Sequence, residues 1–327
     1  MSEVKQLNVV QAINQALHDA MAADPKVLVL GEEVGDKQEG GVMGVTKGLS
    51  TAFGERVRST PISEQAIIGA AIGASLGGYR PVAEIMLMNF IAVPMDMITN
   101  HAAKLRFMSG GQTNVPIVIR TMTGVGFSTG GQHSDYLEAW FAHTAGIKVV
   151  APSNPDDAYG LMRAAIEDDD PVLFIENLPT YWTPGPVSFQ KVKLGQAKVA
   201  LEGTDATVVA HSRMVVEALA AAKTLATEGI SLEVVDLRTI SPWDRATVLA
   251  SAAKTGRAVV VHEAVKQFGI GAEIAAVIGE ELWGKLKAPV QRLGGAFAPV
   301  PFSRPLEAAF APTAADIAAA VRKAVTA

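Results

Sequence analysis

The sequence predicts an α/β protein built from two doubly wound domains. One observation behind this is the alternation of short buried-strand patterns with helical ones along almost the whole chain, the pattern of parallel sheets covered on both faces. A second is composition. Hydrophobic residues make up 49% and charged residues only 19%, and with aromatics at 6% the excess is mostly small and branched aliphatics. Such residues suit strands buried on both faces and broad subunit interfaces. A third is length: 327 residues exceed what one hydrophobic core usually serves. The pattern also lapses once, between Leu178 and about Leu194, where Pro179, Pro184 and Pro186 crowd around Gly185, as in an interdomain linker.

The first element is a helix. Asn8 can cap it, Gln11 stands three residues on, and Val10, Ile13, Leu17 and Met21 recur at helical spacing. A buried strand, Val27–Leu30, ends in Gly31-Glu32-Glu33 and runs into a Gly-rich loop from Gly35 to Gly48. Further strands read at Pro81–Leu87, Pro116–Thr121, Ile147–Ala151 and Val172–Glu176, with helices at Gln65–Leu76, Pro94–Phe107, His133–Ala142 and Pro155–Glu167. The last helix has Asn154 as cap, Pro155 at its first position and two aspartates at the positive end of its dipole. Beyond the linker the alternation resumes at Ala206–Ala210, Met214–Thr227, Ser231–Leu237, Pro242–Ala253, Arg257–His262, Gly269–Leu282 and Val290–Leu293. A closing helix is capped by Thr313 with Asp316 three residues later.

Several function classes drop out. The net charge is −5 and no basic patch stands out, so nucleic acid is not an expected partner. No run reaches the ~18 uncharged apolar residues of a membrane span. There is no cysteine, which excludes disulfides, thiolate metal sites and cysteine nucleophiles. Met1–Lys5 carries neither a secretory core nor an Arg-rich transit pattern, so a cytoplasmic location is expected. No H-x-x-H, H-E-x-x-H, G-x-S-x-G or Walker pattern is present.

Two stretches can carry chemistry. In Thr60-Pro61-Ile62-Ser63-Glu64-Gln65, Glu64 opens a helix whose Gly69, Gly73 and Gly77 lie four apart, leaving one face nearly bare for a partner helix. A carboxylate there is by default a dipole-stabilised surface group, and spacing alone does not overturn that. The second stretch, Gly124–Ser134, follows a strand, at the sheet end where α/β folds bind ligands. Its glycines are spaced G-x-G-x-x-x-G, which argues against a nicotinamide-binding fingerprint. His133, at its end, is a candidate general acid or relay, although a lone histidine is more often structural. His101 and His143 read as core or interface residues, His262-Glu263 as a polar strand end, and Glu167–Asp170 as a solvated acidic turn.

Taken in order, Leu30-Gly31-Glu32-Glu33-Val34, Thr60–Glu64, Arg80–Glu84, Ala102-Ala103-Lys104, Met108–Gly111, Gln132-His133-Ser134, Gly146–Pro152 and Asp236–Pro242 resemble the β subunits of thiamine diphosphate-dependent first components of 2-oxo acid dehydrogenase complexes, acetoin dehydrogenase included. The resemblance spans essentially the whole chain. It implies a transketolase-like pyrimidine-binding domain at 1–180, a linker at 181–200 and a transketolase C-terminal-type domain at 201–327. It assigns Glu64 to the aminopyrimidine ring, where a carboxyl group promotes loss of the thiazolium proton. Ile62 corresponds to a residue offering its backbone carbonyl to the cofactor's amino group. Phe90 corresponds to an aromatic beside the pyrimidine, a position often held by Tyr. His133 corresponds to a histidine serving proton transfer during acylation of a lipoyl group. A potassium site near Ile117, Ala165, Asp168 and Asp170 is also carried by the family, with Asp170 standing where Asn is commoner.

The sequence contains no Gly-Asp-Gly with a following Asn, the motif that holds magnesium and diphosphate. By resemblance an α subunit brings that half, in an α2β2 heterotetramer that passes its acyl group to a lipoyl-bearing acyltransferase. The segments Gly40–Leu49 and Val118–Met122 lean toward acetoin as substrate, with pyruvate close behind and branched 2-oxo acids in the same family. The alternative is a non-catalytic structural subunit that kept the fold. Retention of both Glu64 and His133 argues against it.

Overall fold

The computed structural model describes residues 4–327, so most of the amino-terminal stretch read for targeting lies outside the described residues. The chain divides into two compact units. The first comprises residues 1–123 and 140–194, and the second 124–139 and 195–327. Both are α/β, in line with the sequence.

In the first unit the strands lie in the order Lys148–Val150, Val172–Asn177, Val118–Thr123, Arg80–Leu87, Val27–Glu32 and Val57–Thr60, all parallel. Val118–Thr123 and Val172–Asn177 are buried along their whole length, as strands covered on both faces must be. Helices Val9–Ala23 and Pro155–Glu167 cover one face, with Ile13, Leu17, Met21, Leu161 and Met162 in a shared core. Their starts follow from local chemistry. Asn8 and Gln11 form a reciprocal capping box, and Asn154 accepts from the Asp157 N–H at 3.0 Å. Asp36 closes the Gly-rich loop by accepting from the Gly48 and Thr51 amides. The Thr51 hydroxyl contributes most to pulling its carboxyl down to about 2.

The second unit has a sheet ordered Gln291–Gly295, Ala258–Val265, Ala206–Ala210, Leu232–Asp236 and Lys198–Leu201, parallel except for the last strand. Helices Arg213–Ala226 and Ala314–Thr326 pack on one side through Met214, Ala218, Leu225, Ile317 and Val321. Arg245–Thr255 and Gly271–Glu281 cover the other through Val248, Ile274 and Ile278. Thr313 and Asp316 form the second reciprocal capping box.

Four expectations change. The helix expected at 94–107 is a π-helical turn, Met97–Ala102, followed by a short helix, Leu105–Met108. The helix expected at 133–142 begins only at Glu138, and the preceding loop groups with the second unit rather than the first. In the proline-rich stretch read as a linker without strand or helix pattern, Gly185–Val187 forms a short strand that pairs antiparallel with Lys5–Leu7. His101 and His143 are exposed in this chain, so neither is a core residue.

Candidate active site

Three of the four residues singled out for chemistry lie past the carboxyl ends of neighbouring strands in the first unit. Val57–Thr60 leads through Ile62 to Glu64, the first residue of helix Glu64–Leu76, and Arg80–Leu87 leads to Phe90 in the turn Met88–Ala92. The strand between them, Val27–Glu32, ends in Glu32 and Glu33. This is the sheet end at which α/β folds bind ligands, since the loops there are free to diverge while the strands stay fixed. Glu64 and Phe90 are half-buried, whereas the Ile62 side chain is 83% exposed.

The helix that Glu64 opens is apolar nearly all round. Ile67, Ile68, Ala71 and Ile72 are buried in this unit, but Ala66, Ala70 and Gly73 are exposed and Leu76 is 53% exposed. A side chain added at Gly73 would meet nothing within 4 Å. A helix apolar on every face is ordinarily buried on every face. The uncovered side is therefore shaped for another polypeptide.

Behind Glu64 lies a group of carboxylates that the sequence reading did not single out. Buried Glu32 is pushed up from the usual carboxylate range, first by burial and then by the negative charges of Glu64, Glu33 and Glu84. Glu84 is pushed up as well. Burial is the main cause, Arg120 opposes it and Glu176 adds to it. Arg120 grips Glu176 with two hydrogen bonds, 2.7 and 2.9 Å, and donates a third to Glu84, while the Tyr181 hydroxyl donates to Glu176. A cavity beside this network is lined by Gly41–Met43, Val45, Met86 and Met122. The signal for it was present in the sequence: Glu84, Arg120 and Glu176 sit inside otherwise apolar strands, where a charge persists only if it is paired. Replacing Arg120 with Met strands Glu176 in the interior. We expect it to lower unfolding stability by about 3–5 kcal/mol in a denaturant titration.

His133 belongs to the second unit. It is half-buried in a loop of glycines and positive-φ residues, Gly124, Gly126, Ser128 and Gly130. The side chains of Tyr136, Glu138, His211 and Ser212 are buried in the same unit, with the Tyr136 and His211 rings 5.6 Å apart. Burial, with a small addition from Glu263, pushes the Glu138 carboxyl up to about 8, and burial with repulsion from His262 pushes His211 down to about 3. Their contact at 3.9 Å is thus between a protonated acid and a neutral imidazole, not an ion pair. His262 and Glu263, read from sequence as a polar strand end, are instead buried within strand Ala258–Val265, and Glu263 accepts from the Val125 N–H at 2.6 Å.

The acidic turn after helix Pro155–Glu167 is ion-paired, not merely solvated. Lys148 Nζ lies 2.7 Å from both Asp168 oxygens and 3.2 Å from Asp170, which Arg106 also contacts at 2.6 Å. Burial works against ionisation of Asp170, but Arg106 and Lys148 outweigh it and hold the carboxyl low. The Ile117 and Ala165 carbonyls accept from the Val172 and Asp168 amides. Potassium does not fit this arrangement as it stands, because Lys148 already fills the oxygen cluster. Among the described residues no group of three or more His, Cys, Asp or Glu is placed to hold a metal ion. None of the described helices is long and apolar enough to cross a membrane.

A carboxyl group, an exposed aliphatic and an aromatic at one sheet end fit the aminopyrimidine half of thiamine diphosphate. No Gly-Asp-Gly cradle for its diphosphate occurs in the sequence. The transketolase pyrimidine-binding domain family matches residues 5–181, and the transketolase C-terminal domain family matches residues 195–317. The chain is 46% identical to the β subunit of acetoin:2,6-dichlorophenolindophenol oxidoreductase from Cupriavidus necator, over 98% of this chain and 97% of that one. It is 44% identical to the pyruvate dehydrogenase E1 component β subunit of Bacillus subtilis, over 97% and 98% respectively. A mitochondrial counterpart from Arabidopsis thaliana is 46% identical over 98% of this chain and 90% of that one. Among solved structures, a split-gene transketolase in an inactive β4 tetramer superposes with a TM-score of 0.82 at 27% identity, covering 98% of each chain. By sequence and by fold, the chain belongs to the transketolase-like family of pyruvate and acetoin dehydrogenase E1 β subunits.

Proposed function

We propose that this chain is the catalytic β subunit of a thiamine diphosphate-dependent dehydrogenase E1 component, active in an α2β2 heterotetramer. Residues 1–180 supply the pyrimidine-binding domain and 201–327 the C-terminal-type domain. Bound thiamine diphosphate supplies the carbanion chemistry of 2-oxo acid decarboxylation or acetoin cleavage. Within this chain, Glu64 would hold and exchange a proton at the aminopyrimidine ring, the Ile62 carbonyl would accept from its amino group, and Phe90 would be the aromatic beside it. His133 moves a proton while the acyl group passes to a lipoyl domain of the acyltransferase component. Magnesium and diphosphate fall to the α subunit. Acetoin is the favoured substrate and pyruvate the next. Potassium binding near Asp168 and Asp170 would require Lys148 to withdraw.

The observation that carries this reading is the placement of Glu64. It is a half-buried carboxyl at a strand end, backed by Glu32, on a helix whose bare face is open to another chain. Native mass spectrometry of the tagged chain, purified from its own host with thiamine diphosphate and magnesium, tests it. A heterotetramer with a second, different chain and bound cofactor is expected. A homo-oligomer without cofactor, from cells where partners were present, would overturn it.

A further inference from the structure

We infer that Glu307 is a positioning residue for His133, holding from the second unit the loop that carries it. The inference rests on the reading of His133 as the proton-transfer residue of acyl transfer. Glu307 is buried in the short helix Arg304–Ala308. Its carboxylate accepts from the Gly126 N–H at 2.7 Å and from the Ser128 N–H at 3.0 Å to each oxygen, and lies 3.3 Å from the Ser128 hydroxyl. Ser128 has φ 55°, a conformation that an L side chain adopts only when its surroundings over-determine it. Glu307 binds both donors of that residue.

Packing alone does not hold the loop. Behind it lies an open depression of about 550 Å³, lined by Val125, Gly126, Phe127, Arg213 and Arg304, with Glu307 at its wall. At its start Val125 is buried against Val300 and Phe310, its N–H donates to Glu263 and its carbonyl accepts from Arg213 at 2.7 Å. At its far end Gly130 stands so near the Phe302 ring that a Cβ would come within 2.4 Å. From there Thr129 and Ser134 bracket His133 with a 2.6 Å hydrogen bond between their hydroxyls, and the His133 N–H donates to the Gly130 carbonyl at 3.1 Å. The histidine therefore rides on a turn anchored at Val125 and at the Phe302 ring, with Glu307 holding the Gly126–Ser128 stretch between them. Freeing the Gly126–Ser128 stretch lets the turn between the two anchors shift, and a displacement of order 1 Å at a proton-transfer group costs up to ~100-fold in rate.

The test uses the chain purified with its partner subunit, carrying Glu307→Ala or Glu307→Gln. The Gln variant keeps the shape and one acceptor oxygen if the Ala variant fails to fold. Amides of residues 124–134 should exchange with deuterated solvent at least about tenfold faster, while the sheet strands stay protected. Unchanged exchange in that loop overturns the proposal. In turnover, kcat/KM for a lipoyl domain should fall at least about tenfold further than the rate with an artificial electron acceptor. Adding Glu307→Gln to His133→Ala should cost nothing more. Equal losses in the two assays, or an additive double variant, overturn the positioning role. If His133→Ala itself lowers both assays equally, it is the reading of His133 that fails, and the exchange result still decides whether Glu307 holds the loop.

Discussion

Replacing Glu64 with Gln is expected to cut turnover at least about a thousandfold while folding and assembly survive. A positioned acid or base contributes about 10²–10⁴ to a proton transfer. On the proposed reading the same group serves at the start of every cycle, so its loss is not bypassed by a later step. Gln keeps the volume and the hydrogen-bonding outline but cannot exchange the proton. Nothing in the surroundings should object, because Glu64 is half-buried and faces like charge. Its removal relieves one of the repulsions that push Glu32 upward. Steady-state kinetics with saturating thiamine diphosphate, alongside native mass spectrometry, measure both halves of this expectation. Near-normal activity would remove Glu64 from the chemistry, and loss of the assembly would make it a structural residue instead.

His133→Ala should separate the two halves of the reaction. Transfer to a lipoyl domain is expected to slow about 100-fold, while reduction of an artificial acceptor, which reports the first decarboxylation or cleavage, falls only a few-fold. The physical basis is that His133 lies on a loop of the second unit, whereas Glu64 follows a strand of the first. Stopped-flow acylation of a purified lipoyl domain against a dye-reduction assay gives the ratio directly. A ratio near one contradicts the role.

What the sequence made legible was local. Asn8 with Gln11, Asn154 with Pro155, and Thr313 with Asp316 each start a helix through groups within three residues of one another. Each is found where the spacing put it. The strands were legible because parallel strands buried on both faces read as continuous aliphatic runs. The segment at His133–Leu137 was misread for the opposite reason. Tyr136, Trp140 and Phe141 are spaced as on a helix, yet the shape of the preceding loop is set by Glu263 and Glu307, more than a hundred residues away. No local pattern encodes those bonds. In sequence Glu307 is one acid between the last strand and the closing helix, and Glu263 one acid at a strand end. The carboxylates behind Glu64 were nearer to hand, since a charge inside an apolar strand is itself a signal that a partner waits across the sheet.

The bare side of helix Glu64–Leu76 has a consequence for the economy of the cell. A subunit synthesised in excess over whatever covers that helix would circulate with Ala66, Ala70, Gly73 and Leu76 facing water. Chaperones and proteases select such surfaces, and uncovered apolar faces of this kind promote aggregation. With the proposed partner subunit as that cover, mass action would couple the lifetime of this polypeptide to the partner's supply, because only the covered form is withdrawn from that triage. Dosage balance between the two genes would be enforced after translation by degradation of the surplus, with the same helix that presents Glu64 acting as the gauge.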